Sequence, residues 1–349
     1  MTASPIAPAG GPAAWTADTL ERTWCRPFTP GEIDALDAML ARIRSLTPDL
    51  DLATVTADTL AVGGLEPLVE DLRTRLVDGQ GVVAHEGFPV ADYSTDELRA
   101  LWWGLAVLIG TPLSQSHRGD VIGDVRDIGT GITGKAGRGY TSNAELNFHA
   151  DVADLSGLFF LRTAREGGTT RLASSVTVHD EMAARFPDLL AELYRPMPCS
   201  WQSNQPAGQP GWYDIPVYGR SDAGVSCNIV RTNILLAHQN TGAPALTERQ
   251  IEAVHKVVEV AGEPHMWVER HFEPGTMLWV HNHTTLHLRS GFVDWDEPER
   301  KRHLLRVWVC PPNSRHLPDS FASFFADTSA GGLRGGYPTT SPHPLFQTT

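Results

Sequence analysis

The sequence predicts a mainly β fold with flanking helices, arranged as a sandwich or barrel. Three observations carry this. From Pro112 onward, short β-type segments are separated by Gly, Asp, Asn and Pro. Before Pro112 the texture is helical, with N-capping signals and apolar residues at helical spacing. The β segments also lack the helix between each pair that a parallel βαβ sheet requires; only two helical patches, 176–194 and 247–260, interrupt them.

In chain order, residues 1–15 are mostly Ala, Pro and Gly and read as a flexible tail. Thr29 caps a helix with Pro30 in its first position, and Glu32 completes a capping box. Ile33, Leu36, Leu40 and Ile43 give that helix one inward face. A second helix covers 68–77 and stops at Asp78-Gly79, and 81–85 is a short buried strand. Ser94 and Glu97 form another capping box. Behind it Leu98, Leu101, Trp102, Leu105, Leu108 and Ile109 make a broad apolar stripe, ended by Gly110-Thr111-Pro112. The β segments follow at 120–128, 146–151, 157–162, 170–174, 227–231, 266–272, 276–280, 287–292 and 304–310. There is no fixed-period repeat and no clean linker. One domain over 16–325 is expected, with a helical insertion around 176–260 and an irregular tail over 326–349.

The chain has 349 residues, with 28 Lys and Arg against 41 Asp and Glu, a net charge of −13. Such a surface repels nucleic-acid backbones and anionic lipid, while a small anionic ligand can still be met by a locally basic pocket. No apolar run approaches the roughly 18–20 residues of a membrane helix. The start carries no basic-then-apolar signal pattern, and Cys25, Cys199, Cys227 and Cys310 are scattered without a CxxC. Reduced thiols in a cytoplasmic protein are expected.

The chemistry concentrates in Asn143-Ala-Glu-Leu-Asn-Phe-His149-Ala-Asp151. On a strand, Glu145, Asn147, His149 and Asp151 share one face, with Leu146, Phe148 and Ala150 on the other. A His and an Asp two apart can bind one metal side by side. A distant His would complete the facial 2-His-1-carboxylate set of non-haem Fe(II) oxygenases, which leaves three positions open. The third ligand lies among His281, His283 and His287, whose odd positions can share one strand face; periodicity does not choose between them.

Four blocks in order give these residues a context: Gly110-Thr-Pro-Leu-Ser-Gln115; Arg138-Gly-Tyr140 through Asn147-Phe-His149-Ala-Asp151; Glu166-Gly-Gly-Thr-Thr170-Arg-Leu-Ala-Ser-Ser175; and Leu286-His287-Leu-Arg289-Ser-Gly-Phe292 with Arg300-Lys-Arg302-His-Leu-Leu-Arg306-Val-Trp308. Over roughly 79–310 the chain resembles the Fe(II)/2-oxoglutarate dioxygenases of the taurine dioxygenase-like (TauD/TfdA) group, in the clavaminate-synthase-like superfamily. The resemblance implies a double-stranded β-helix, or jelly-roll, core. It implies His149, Asp151 and His287 as iron ligands, with His281 and His283 in supporting roles. It implies 2-oxoglutarate chelated to iron, with its far carboxylate on Thr170 and Arg302. Arg302 stands fifteen residues past His287, at the long end of the family spacing, because 294–299 lengthen the turn; Arg306 is its rival for that role, although in the family this later Arg tends to face the substrate. Thr169 stands where the family often has an acidic residue.

The implied reaction takes 2-oxoglutarate and O2 to succinate and CO2 while oxidising a C–H bond, with hydroxylation as the default outcome. Related halogenases replace the metal carboxylate with a small residue, so Asp151 argues against halogenation. For the substrate, the resemblance points to Glu145 and Arg306, with Asn147 and Gln115 as further candidates. A carboxylate and a guanidinium together suit a zwitterion such as an amino acid. The segment 199–218, with Trp201, Trp212, Tyr213 and Tyr218, is a candidate aromatic wall or lid. Two other uses of the same His-Asp-His set are a zinc hydrolase and a non-catalytic jelly-roll binding protein; neither requires Thr170 and Arg302.

Overall fold

The computed structural model describes residues 6–60, 63–128 and 142–339. The Arg138-Gly-Tyr140 block and residues 340–349 of the tail lie outside the described residues.

The capping signals produce the helices they announce. Thr29 Oγ1 accepts the Glu32 N–H and the Glu32 carboxylate accepts the Thr29 N–H, starting Pro30–Leu46. Ser94 and Glu97 do the same for Thr95–Ile109. Each capping hydroxyl contributes about 1 kcal/mol. The helix Thr95–Ile109 covers one face of the major sheet. Its Trp102 ring lies 4.7 Å from Trp279 and 5.5 Å from Phe159. Gly157 makes that approach possible, since a Cβ there would stand 2.6 Å from Trp279 and 2.7 Å from Trp102.

The major sheet runs Cys25–Pro27, Val82–Glu86, Met277–His281, Leu155–Arg162, His303–Cys310, Thr111–Leu113, and Ile122–Val125 also pairs with His303–Cys310. The minor sheet has Trp267–Arg270, Thr170–Ser174 and Thr285–Arg289, all antiparallel. Major-sheet Val82, Phe160, Leu278 and Leu304 form one apolar cluster with minor-sheet Leu172. The chain passes from the major sheet to the minor one twice. Leu155–Arg162 leads to Thr170–Ser174, and Met277–His281 leads to Thr285–Arg289. These crossings bring residues distant in sequence to one edge of the paired sheets.

The expected helical insertion separates two paired strands of the minor sheet, Thr170–Ser174 and Trp267–Arg270. Pro187 divides its first patch into Ser175–Arg185 and Pro187–Leu193, with Phe186 in a non-helical conformation between them. Its second patch is the helix Glu248–Ala261.

Several expectations are corrected. More described residues lie in helices than in strands, so the fold is mixed α and β and not mainly β. The strand expected over 146–151 is absent; only an isolated bridge joins His149 to His287. The strand expected over 227–231 ends at Cys227, and Arg231–Leu235 is helical. The N-terminal stretch is held from Ile6 onward, against the expected flexible tail. Ala9 and Gly10 donate their N–H groups to Asp180, and the buried Trp15 donates to the Gln80 carbonyl. Among the described residues, no helix is long and apolar enough to cross a membrane.

Candidate metal centre

His149 and Asp151 sit in an extended segment without a strand, yet their backbone is fixed. His149 N–H donates to the His287 carbonyl at 3.1 Å, and His287 N–H donates back at 2.9 Å. One reciprocal pair therefore locks the two histidines side by side, with ring centroids 4.2 Å apart. The alternation expected of a strand partly survives: Phe148 and Ala150 are buried, while Glu145 and Asn147 are exposed.

His149, Asp151 and His287 each offer a ligand atom, and these atoms lie within 4.8 Å of one another. His149 Nδ1 is 2.8 Å from the Asn147 carbonyl, which places the proton on Nδ1 and leaves the Nε2 lone pair for a metal. Burial, reinforced by His149, lowers the His287 imidazole well below its ordinary value, so it is neutral as a ligand must be. Asp151 is nine-tenths buried. Burial pushes its carboxyl up, but Arg306, His287 and His149 outweigh that and hold it below the usual carboxylate range. Two neutral imidazoles and one ionised carboxylate on a common centre suit a divalent iron. Asp151 Oδ2 also accepts from Ser156 Oγ at 2.7 Å and Trp308 Nε1 at 3.0 Å, while Arg306 Nη1 lies 3.4 Å from Oδ1.

His281 and His283 are excluded as ligands by the turn between the two sheets. His281 ends a major-sheet strand and meets Thr284, and His283 meets the Cys227 carbonyl and Asp154. The single strand face imagined over 281–289 is two strands and a reversal.

One cavity is lined by His149, His287, Thr170, Arg302 and Arg306, with Arg289 beside them. Arg302 is 4% exposed, and its Nη1 has no hydrogen-bond partner among the described residues. Burial, with Arg289 alongside, lowers its guanidinium to about 9, so it stays cationic at neutral pH. A buried cation with an unsatisfied donor, aimed into a cavity beside a Thr hydroxyl and the metal ligands, fits the far carboxylate of 2-oxoglutarate.

The substrate candidates fare differently. Arg306 stands beside Asp151, with its Nε donating to Gln115 Oε1 at 2.7 Å. Gln115 Nε2 donates to the Val121 and Arg306 carbonyls, so both ends of this amide are committed to holding Arg306. Gln115 is thus a support for Arg306 and not a free substrate contact. Glu145 and Asn147 are exposed and are not among the residues that line the cavity, and the Asn147 backbone carbonyl is what serves His149. In the aromatic segment 199–218, residues 207–210 are exposed and Trp212 is half-buried, but the other three aromatics pack into the core. Trp201, Tyr213 and Tyr218 are all buried, and Trp201 stacks on Phe324 at 5.0 Å.

Four residues around the site were given no role by the sequence, although Arg289 and Trp308 stand in its patterned blocks. Ser156, Trp308 and Asn282 serve Asp151, and Arg289 ties the Ser142 and Ala144 carbonyls ahead of His149. Trp308 carried a signal, since it shares a strand face with Arg306. Asn282 carried none in its local pattern.

Comparison with known proteins identifies the family and the fold. The model of the family "Taurine catabolism dioxygenase TauD, TfdA family" matches residues 42–308. FR-33289 synthase of Streptomyces rubellomurinus (strain ATCC 31215) is 28% identical over 261 residues, covering 73% of this chain and 76% of the relative. Taurine hydroxylase-like protein SAT17 of Stachybotrys chartarum (strain CBS 109288 / IBT 7711) is 26% identical over 277 residues, covering 74% and 70%. The fold is similar to asparagine oxygenase in complex with Fe(II), 3-hydroxyasparagine and succinate, at a TM-score of 0.62 and 17% identity, over 82% of this chain and 93% of that one. It is also similar to the non-haem iron oxygenase OrfP in complex with Fe and α-ketoglutaric acid, at a TM-score of 0.58 and 16% identity, over 82% and 93%. The chain belongs to the TauD/TfdA family and is an Fe(II)/2-oxoglutarate-dependent dioxygenase.

Proposed function

We propose that this dioxygenase hydroxylates an unactivated C–H bond of a small, zwitterionic, amino-acid-like metabolite. The observation that carries the reading is the single cavity in which His149 and His287 meet Thr170, Arg302 and Arg306. When bound there, iron with 2-oxoglutarate and O2 supplies the oxidation, with succinate and CO2 as coproducts. The chain's own residues do the rest. His149, Asp151 and His287 would hold the metal. Thr170 and Arg302 would hold the cosubstrate's far carboxylate by charge-assisted hydrogen bonds. Arg306, braced by Gln115, presents a cation beside the metal carboxylate and suits the anionic end of the substrate. Glu145, on the segment that leads into His149, is the carboxylate assigned to an ammonium group. The apolar side chains of Leu158 and Leu304 wall the cavity and keep bulk water from the cosubstrate.

The proposed unit spans 16–325 with a double-stranded β-helix core made of the two packed sheets, and works in the cytoplasm. Similar folds support the substrate class: one is solved with 3-hydroxyasparagine and another with (3S)-hydroxy-L-Arg. The test is a panel of amino acids and their carboxyl-blocked esters, incubated with protein, Fe(II), 2-oxoglutarate and oxygen. An amino acid that stimulates succinate formation and gains one oxygen atom supports the reading, provided its ester does neither. Equal stimulation by acid and ester contradicts the role of Arg306.

A further inference from the structure

Asp151 is held by more than its own rotamer. It opens a loop that closes at Ser156, the second residue of the strand Leu155–Arg162. Asn282, in the turn between the two sheets, reaches into this loop and is fully buried. Its Oδ1 accepts the Asp151 N–H at 3.0 Å. Its Nδ2 donates to the Ala153 carbonyl and to Ser156 Oγ, both at 3.0 Å. Its backbone N–H donates to the Asp154 carbonyl at 2.8 Å.

These contacts have a directional consequence. A hydroxyl has one proton to give. Ser156 Oγ accepts from Asn282 Nδ2, so its proton goes to Asp151 Oδ2, 2.7 Å away. Trp308 Nε1 donates to the same oxygen at 3.0 Å. Two donors on one carboxylate oxygen, and a fixed N–H at its backbone, leave the group one orientation. Only a neutral amide can do this at position 282, because the site needs one acceptor and two donors on a single planar group.

We propose that Asn282 is a positioning residue for the metal carboxylate, acting through Ser156 on Asp151. The inference rests on the metal centre assigned above. It predicts that Asn282→Asp, which keeps the shape and loses the donor, releases the Ser156 proton and sets a second carboxylate against the Ala153 carbonyl. Partners of this outer kind typically change metal affinity by roughly 10- to 100-fold.

The test uses Co(II) added to the metal-free full chain, read by its ligand-field absorption and by titration, beside the thermal melt of the metal-free protein. Wild type should bind and His287→Ala should not. Asn282→Asp should bind roughly 10- to 100-fold more weakly with displaced bands. Ser156→Ala should shift the bands the same way with a smaller loss. Should Asn282→Asp fail to fold, Ser156→Ala decides by the same criterion. A lower melting point with unchanged bands and affinity within twofold of wild type would mean Asn282 is merely structural, and overturns the proposal while leaving the metal centre intact. Wild-type protein that binds no cobalt overturns both.

Discussion

Asp151, His287 and Arg306 form one cluster of ionisable groups, and Asp154, His283 and Arg334 form another that begins three residues later on the same loop. The residue types are the same and the arrangements are opposite. In the second cluster the charges have collapsed together. Arg334 grips Asp154 through Nε at 3.1 Å and Nη2 at 2.7 Å, with both side chains wholly buried. In the first cluster nothing has collapsed. Asp151 stands 3.8 Å from His287 and 3.4 Å from Arg306, and the group opens on a cavity. Backbone pairing at His149 and His287, and donors from Ser156 and Trp308, keep the functional groups apart at a spacing a cation can use. A buried ion pair that is fully satisfied is a lock. One that is held short of closing is a site.

Breaking the lock should have the largest effect on stability. Arg334→Leu leaves the buried Asp154 without its guanidinium partner and with only His283 beside it, at a cost of about 3–5 kcal/mol. Denaturant unfolding should show that loss, and the folded fraction should still bind metal with an unchanged spectrum. A variant as stable as wild type would show that the contrast between the clusters has no energetic content.

On the open side, Arg302→Gln removes a charge-assisted partner worth about 1.5–3 kcal/mol. The KM for 2-oxoglutarate should rise roughly 10- to 100-fold, with metal affinity unchanged. An unaltered KM would remove Arg302 from the cosubstrate site.

A half-buried pair marks the lower end of the scale. Arg26 binds the Glu32 carboxylate and lowers it to about 2, against an ordinary 4.5. A depressed carboxylate stabilises the fold above its unfolded value and loses that contribution as pH falls toward its folded one. Glu32→Gln should therefore lower the melting temperature modestly at pH 7, where that contribution is present, and its melting temperature should fall less steeply than that of wild type between about pH 4.5 and pH 2.

The comparison also explains what the sequence disclosed. Local signals were legible: Thr29 with Glu32 and Ser94 with Glu97 start helices because capping is decided within four residues. The grouping of His149, Asp151 and His287 was legible because the first two stand two apart and His287 lies in a patterned block. Chain geometry was less so. Residues 146–151 alternate like a strand, but only His149 finds a bridge partner, and so the segment stays open. His281 and His283 looked equivalent to His287 until the reversal at 282–284 set them on the other side of the crossing. Gln115 looked like a substrate group because its partner, Arg306, lies far along the chain. Arg334 fell in a Gly- and Pro-rich tail read as irregular, and no local pattern marks a residue whose partner is a buried aspartate so far upstream.

His149, Asp151 and His287 would meet on one ferrous ion with room left for a keto acid. Anaerobic addition of Fe(II) and 2-oxoglutarate to the metal-free protein tests it directly through the visible charge-transfer band of the chelate. The band should appear with wild type and vanish in both Asp151→Ala and His287→Ala; a band that persists in both variants would contradict the assignment.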